Sequence, residues 1–392
     1  MLSRKLGFVY VICALTIFCI SAEVAGALTF NFTPTRGMSQ QAINGFQQAG
    51  TLWSALFSDP VTVNIKISFS SLGSGILGST GYASYSTSYA SFRSALLGDV
   101  ISADDATAAS HISTGSAFNM VINRTANSPY GRGSAVPYVD SNGNNNNKTI
   151  NMTTANAKAL GLLKTAKKTS DASIAFSNSF QWDFNPSDGI TSGQFDFVGI
   201  AAHEIGHVLG FVSGVDVLDY NSSSRFFQDS AFTYVNPLDL FRYSTFSAGF
   251  GIIDWSADAR DKYFSIDAGA TDLGSFSTGE VWGDGYQASH WKDDLGLGIM
   301  DPTAAPGERL SISALDIEAM DVVGWNLGPS AGASSVAVSP DNSSTGGGQD
   351  GFGMTGLWDE AVVPEPGTVF MIASAALGFA GIAARRVRRM KA

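Results

Sequence analysis

The chain has 392 residues, 44% hydrophobic and only 15% charged, with a formal net charge of −11. That length allows one large domain or two lobes sharing a cleft, and the acidic balance argues against nucleic acid or an anionic membrane surface as partner. Its two cysteines, Cys13 and Cys19, both fall in the first apolar stretch, so the rest of the chain has no cysteine with which to form a disulfide.

Residues 1–27 read as an export signal. Arg4 and Lys5 form the basic region, Leu6 to Ile20 is apolar but short for a bilayer span, and Ala25-Gly26-Ala27 supplies small residues for cleavage. The body runs over residues 28–328. Leu28 to Phe32 alternates as a strand, and Ser39 caps a helix reaching about Phe57, with Ile43, Phe46, Leu52 and Leu56 at helical spacing. Val61 to Phe69 alternates again. A helix over Ser88 to Leu97, an extended Thr149 to Met152, a helix over Asn156 to Leu163 and a short strand at Ser173 to Phe176 follow. A helix from Phe197 to Phe211 closes this half, and the order describes an α/β lobe with a mixed sheet. Beyond Gly214 the periodicity fades, so a largely irregular second lobe is expected, with a cleft near residue 211 and a closing helix at Ser313 to Val323. Asn142 to Asn147 reads as a polar loop without a function. Asp99, Asp104 and Asp105, or the pair Asp293-Asp294, are candidate Ca2+ contributors, although solvated acidic loops are the commoner reading.

The densest chemical signal is His203-Glu204-Ile205-Gly206-His207. Helical positions four apart share a face, so two imidazoles can meet one ion. Glu204 is then directed at a zinc-activated water, where a carboxylate serves as general base. The whole chain has four histidines, and two of them stand at ligand spacing. A catalytic Zn2+ site needs a third protein ligand and an open position. His290 and His111 are the remaining imidazoles. Asp216, in Gly214-Val215-Asp216, is close enough to turn back to the metal and is the main rival to His290.

The run HEIGHVLGF, with Gly210 after the motif, resembles the metzincin metallopeptidases. In their short pattern the third ligand falls three residues after that glycine, which here is Ser213. Leishmanolysin-like members instead insert a long segment, and Ser289-His290-Trp291 is similar to their third-ligand position. Gly298-Ile299-Met300-Asp301-Pro302 resembles the methionine turn beneath the metal, and Ser313 to Trp325 the closing helix. The resemblance implies a metzincin-like zincin fold: an N-terminal lobe with a mixed twisted sheet and the motif helix, then the irregular lobe. It also implies zinc on His203, His207 and His290, Glu204 as general base, and Gly210 and Met300 as supports. Unlike leishmanolysins, this chain lacks a disulfide framework, and its first strand begins directly after the signal.

Residues 329–362 turn to Gly, Ser, Asn and Asp and read as a flexible linker. Val363-Pro364-Glu365-Pro366, an apolar span from Thr368 to Ala384 and a basic end from Arg385 to Lys391 complete the chain. This tripartite tail, residues 363–392, resembles the PEP-CTERM sorting signal of Gram-negative bacteria, which implies an exosortase-type processing partner and a transient transmembrane anchor. The expected activity is that of a secreted zinc endopeptidase acting on extracellular protein or peptide. A non-catalytic surface or matrix-binding protein on a peptidase fold, and a metal hydrolase of non-peptide bonds, are the other readings.

Overall fold

The computed structural model describes residues 27–164, 169–222, 225–329, 331 and 361–362. The export signal through residue 26, most of the linker and the tail from residue 363, with its expected membrane span, lie outside the described residues. Among the described residues no helix is long and apolar enough to cross a membrane.

The protein is mixed α/β, built on a four-stranded sheet and several smaller ones. Across the main sheet the strands run Thr29–Pro34, Thr62–Ser70, Ala172–Ser177 and Gly78–Tyr82; the first three are parallel and the last is antiparallel at the edge. Val63, Ile65 and Ile67 are buried on one face at period two; on the other face Asn64 is buried and Lys66 exposed. The mixed sheet expected from the sequence is therefore present.

Two helices cover the sheet. Gln40–Ser54 starts at Ser39, whose side chain accepts the Ala42 amide, and it buries Phe46, Ala49 and Trp53. The motif helix, Phe197–Leu209, starts at Asp196, whose carboxylate accepts the Gly199 amide at 2.9 Å. Trp53 Nε1 donates to the Ala202 carbonyl at 2.8 Å and locks the two helices together. Phe46, Phe176 and Phe197 pack with ring centroids 4.6 to 5.3 Å apart, an aromatic plug under the first turn of the motif helix.

Other elements depart from the sequence reading. A helix spans Tyr89–Asp99 as expected, but a further helix, Ala103–His111, follows under a Ser102/Asp105 capping box. The helix expected over Asn156 to Leu163 is the shorter Thr154–Ala159, and the closing helix is Ala314–Asp321. After residue 214 the chain forms short strands and turns. Ile253–Asp254 pairs with Met120–Ile122 from the first half, so residue 211 does not divide the body cleanly; both halves share one core.

Candidate metal centre

Every side chain of the motif helix is buried. Four-residue spacing puts His203 and His207 on one face, with ring centroids 4.8 Å apart. His290 arrives from a distant loop; its ring stacks 5.2 Å from that of His203 and stands edge-on 5.0 Å from that of His207. One nitrogen from each ring lies within 4.8 Å of the others. Among the described residues, this is the group of three or more potential metal-binding side chains that converges. The three histidines singled out in the sequence thus come together. His111 is exposed and bonded to its own helix through Thr107.

Backbone carbonyls set the tautomers. His203 Nδ1 donates to the Ile299 carbonyl at 2.6 Å, and His207 Nδ1 to the Phe211 carbonyl at 2.7 Å. The Nε2 lone pairs therefore face each other, 3.1 Å apart. Tetrahedral zinc, at about 2.0–2.1 Å from each nitrogen, would hold imidazole nitrogens roughly 3.3 Å apart, so the three-imidazole donor set and the spacing of the His203–His207 pair fit this ion. Burial lowers the pKa of His203 to about 3, helped by the charge His290 would carry. Burial likewise lowers His290 to about 4 and drives His207 well below its usual range. All three rings are neutral near pH 7, the form that binds a cation.

The turn after the motif helix supports the His207 ring. Gly210 sits at φ 130, a conformation that favours glycine, and its amide donates to the Gly206 and His207 carbonyls. The reversal brings the Phe211 carbonyl back onto His207.

Asp216 is not in the converging group. Its carboxylate accepts the Ala288 amide at 2.6 Å and the Ser289 hydroxyl. The rival ligand is instead a brace on the segment that presents His290. Ser213, at the short-pattern ligand position, is also a brace: its amide donates to Ser289 Oγ at 2.9 Å and its hydroxyl to the buried carboxylate of Asp239.

Met300 is fully buried, and a Cβ placed on Gly206 would collide with its sulfur. The thioether thus packs against the motif helix between the two histidine turns. Asp316, in the first turn of the closing helix, fixes this arrangement. It accepts the Ile299 amide at 2.8 Å, the Ser313 amide at 2.7 Å and Trp291 Nε1 at 2.8 Å. One buried carboxylate therefore ties the turn that carries Met300 to the residue after His290.

Glu204 is fully buried and faces the edge strand. Thr80 Oγ1 donates to Glu204 Oε2, and a Cβ at Gly78 would stand 2.5 Å from Oε1. Sequence reasoning missed Thr80, Gly78, Asp316 and Ser289. Of these only Asp316 left a local trace, as the third residue after the capping Ser313.

Among the described residues the acidic calcium candidates join no convergent group of three or more potential ligands. Asp105 closes the capping box with Ser102, Asp99 accepts Asn326 Nδ2 at 3.1 Å, Asp293 accepts the Thr303 hydroxyl at 2.7 Å, and Asp294 is exposed.

Residues 362–389 match the PEP-CTERM protein-sorting motif. That motif is a sorting signal read by exosortase, and it implies export and envelope-associated sorting of the Gram-negative kind. No curated protein and no solved structure matches the chain.

Proposed function

We propose that the protein is an exported zinc-dependent endopeptidase of metzincin type, with His203, His207 and His290 as ligands and Glu204 as general base. One observation carries this reading: three buried, neutral imidazoles from two distant segments converge, beside a carboxylate on the same helix. Bound zinc supplies Lewis acidity toward a water and a substrate carbonyl. Glu204 takes the proton released by the attacking water and delivers it to the leaving amine. Thr80 holds one oxygen of that carboxylate and so fixes its plane. Gly78, with no side chain, lets the edge strand approach the other oxygen. The antiparallel edge strand, the Gly210 turn and the Met300 floor accord with a metzincin-like zincin. The sorting motif accords with substrates outside the cytoplasm.

The test pairs zinc content with degradation of an unfolded protein, with and without chelator. Glu204→Gln should keep the fold and one zinc but lose about 100-fold or more in turnover. Near-normal proteolysis by that variant, or a purified chain that takes up no zinc, would overturn the reading.

A further inference from the structure

A second polar cluster lies outside the histidine centre. Along Asp140-Ser141-Asn142-Gly143-Asn144-Asn145-Asn146, alternate positions carry a carboxyl or carboxamide: Asp140, Asn142, Asn144 and Asn146. Gly143, at φ 66, lets the loop curl so that these four side chains gather. Asp229 meets them from a segment far along the chain. Asn142 Nδ2 and Asn144 Nδ2 donate to its two oxygens at 3.0 and 3.1 Å, and Asn146 Nδ2 donates to Asp140 Oδ2 at 2.8 Å. Asp140 and Asp229 are only 1% and 3% exposed. Among the described residues neither pairs with a lysine or arginine.

Two buried carboxylates bridged by amides are an unfavourable arrangement without a cation. An independent sign comes from Asn146. Its side chain is fully buried against the Asp140 carboxylate, yet among the described residues its Oδ1 has no hydrogen-bond partner. Asn147, whose Nδ2 donates to the Asp140 carbonyl at 3.3 Å, has the same orphaned oxygen. Buried acceptors are rarely left in this state.

We infer that Asp140, Asn142, Asn144, Asn146 and Asp229 form a calcium site. The donors are all oxygens on adaptable side chains, which suits calcium with its six to eight ligands better than zinc, which prefers nitrogen or sulfur, or magnesium, which demands a rigid octahedron. A half-turn of each carboxamide sets an oxygen where its nitrogen now stands, facing the ion between the carboxylates. Solvent completes the shell. With two formal charges in the site, affinity falls in the weak range of extracellular calcium modules, a Kd of about 10⁻⁴–10⁻³ M. The ion would pin the loop to the segment before Asn236–Asp239, and Asp239 in turn accepts the Gly214 amide just after the motif helix. Millimolar calcium outside the cell would then stabilise the frame of the histidine centre. This inference does not depend on the peptidase reading.

The zinc-treated, calcium-stripped full chain is titrated with calcium chloride by calorimetry, and its thermal unfolding is followed in parallel. One calcium per chain should bind, with a rise in Tm of about 2–4 °C at saturation. Asp229→Asn, which removes a charge at constant shape, should weaken binding at least about tenfold. If that variant does not fold, Asn142→Ala, at an exposed position, should weaken binding and lower the calcium-induced rise in Tm. A wild-type chain that binds no calcium up to about 10 mM, well above the expected Kd, overturns the site. So does a folded variant that binds as tightly as wild type.

Discussion

Asp216 grips Ser289, the residue immediately before His290. Its carboxylate takes the Ser289 hydroxyl and the Ala288 amide, and the same hydroxyl accepts the Ser213 amide from just beyond the motif helix. The long insertion between the two parts of the histidine centre is therefore closed by one small buried knot. In the proposed centre this geometry makes His290 the ligand and Asp216 a brace.

Replacing His290 by Ala should abolish stoichiometric zinc as fully as replacing His203. Asp216→Ala should still bind one zinc at saturation but with affinity lowered about 10–100-fold, the usual effect of losing a group that orients a ligand. It should also destabilise the fold, because each buried donor left without an acceptor costs about 1–3 kcal/mol. Competition against a chromophoric chelator measures both affinities, and denaturant titration the stability. Full metal in His290→Ala, with none in Asp216→Ala, would reverse the assignment.

How much of the site is legible in the sequence depends on how local each signal is. His203 and His207 follow from spacing on one helix, and Val61 to Phe69 shows its alternation openly. His290 lies beyond a long insertion, and only the resemblance singles it out. The edge strand Gly78–Tyr82 reads GSTGY, with no alternation to detect. It pairs because Ala172–Ser177 offers a free edge, and Gly78 is small because Glu204 needs the space. The helix Ala103–His111 buries little more than alanines, so its apolar stripe is faint although its capping box stands in the sequence. In the sequence the clustered aspartates read more readily as solvated loops than as calcium contributors, whereas the structure gathers asparagines around two carboxylates that are distant along the chain. Tertiary contact, not composition, makes that site.

The contact between the helix Ala103–His111 and the closing helix makes stability depend on pH. Burial, reinforced by the charge of Asp104, raises Glu318 to about 7. Burial also raises Asp321 to about 7; the Ser102 hydroxyl opposes this, while Asp105, Asp104 and Glu318 reinforce it. Unfolded, these carboxyls titrate near 3.8 and 4.5. Between those values and about 7 the folded state holds more protons than the unfolded state, so stability falls as pH rises through this window. Glu318→Gln removes one of these ionisations. Its Tm relative to wild type should be more favourable at pH 8 than at pH 5, as thermal unfolding of both proteins at both pH values will show. An equal offset at the two pH values would mean that Glu318 does not titrate in this window.

The packing of Met300 on Gly206 predicts an energetic coupling with a definite sign. In a helix interior Gly→Ala is ordinarily stabilising by roughly 0.8–1.0 kcal/mol. Here the new methyl would strike the Met300 sulfur, with a Trp53 ring carbon 3.4 Å away, so the site has no spare room. Overpacking of this kind costs about 1–3 kcal/mol, which outweighs the helix gain, so Gly206→Ala should destabilise the wild-type chain. Met300→Ala alone should cost about 2–5 kcal/mol by opening a cavity. Combined, the two changes should cost less than their sum, because the methyl introduced by Gly206→Ala enters the space that Met300 vacates. The expected interaction energy is on the order of 0.5–3 kcal/mol. Met300→Leu, which conserves volume, should cost less than about 1.5 kcal/mol and keep zinc, since a thioether turned toward Gly206 is packing and not a ligand. Denaturant titrations of the four proteins in the cycle, with zinc affinity for Met300→Leu, provide the measurement. If Gly206→Ala stabilises the protein and the cycle is additive, Met300 does not press on the motif helix. If Met300→Leu folds but loses zinc, the sulfur binds the metal.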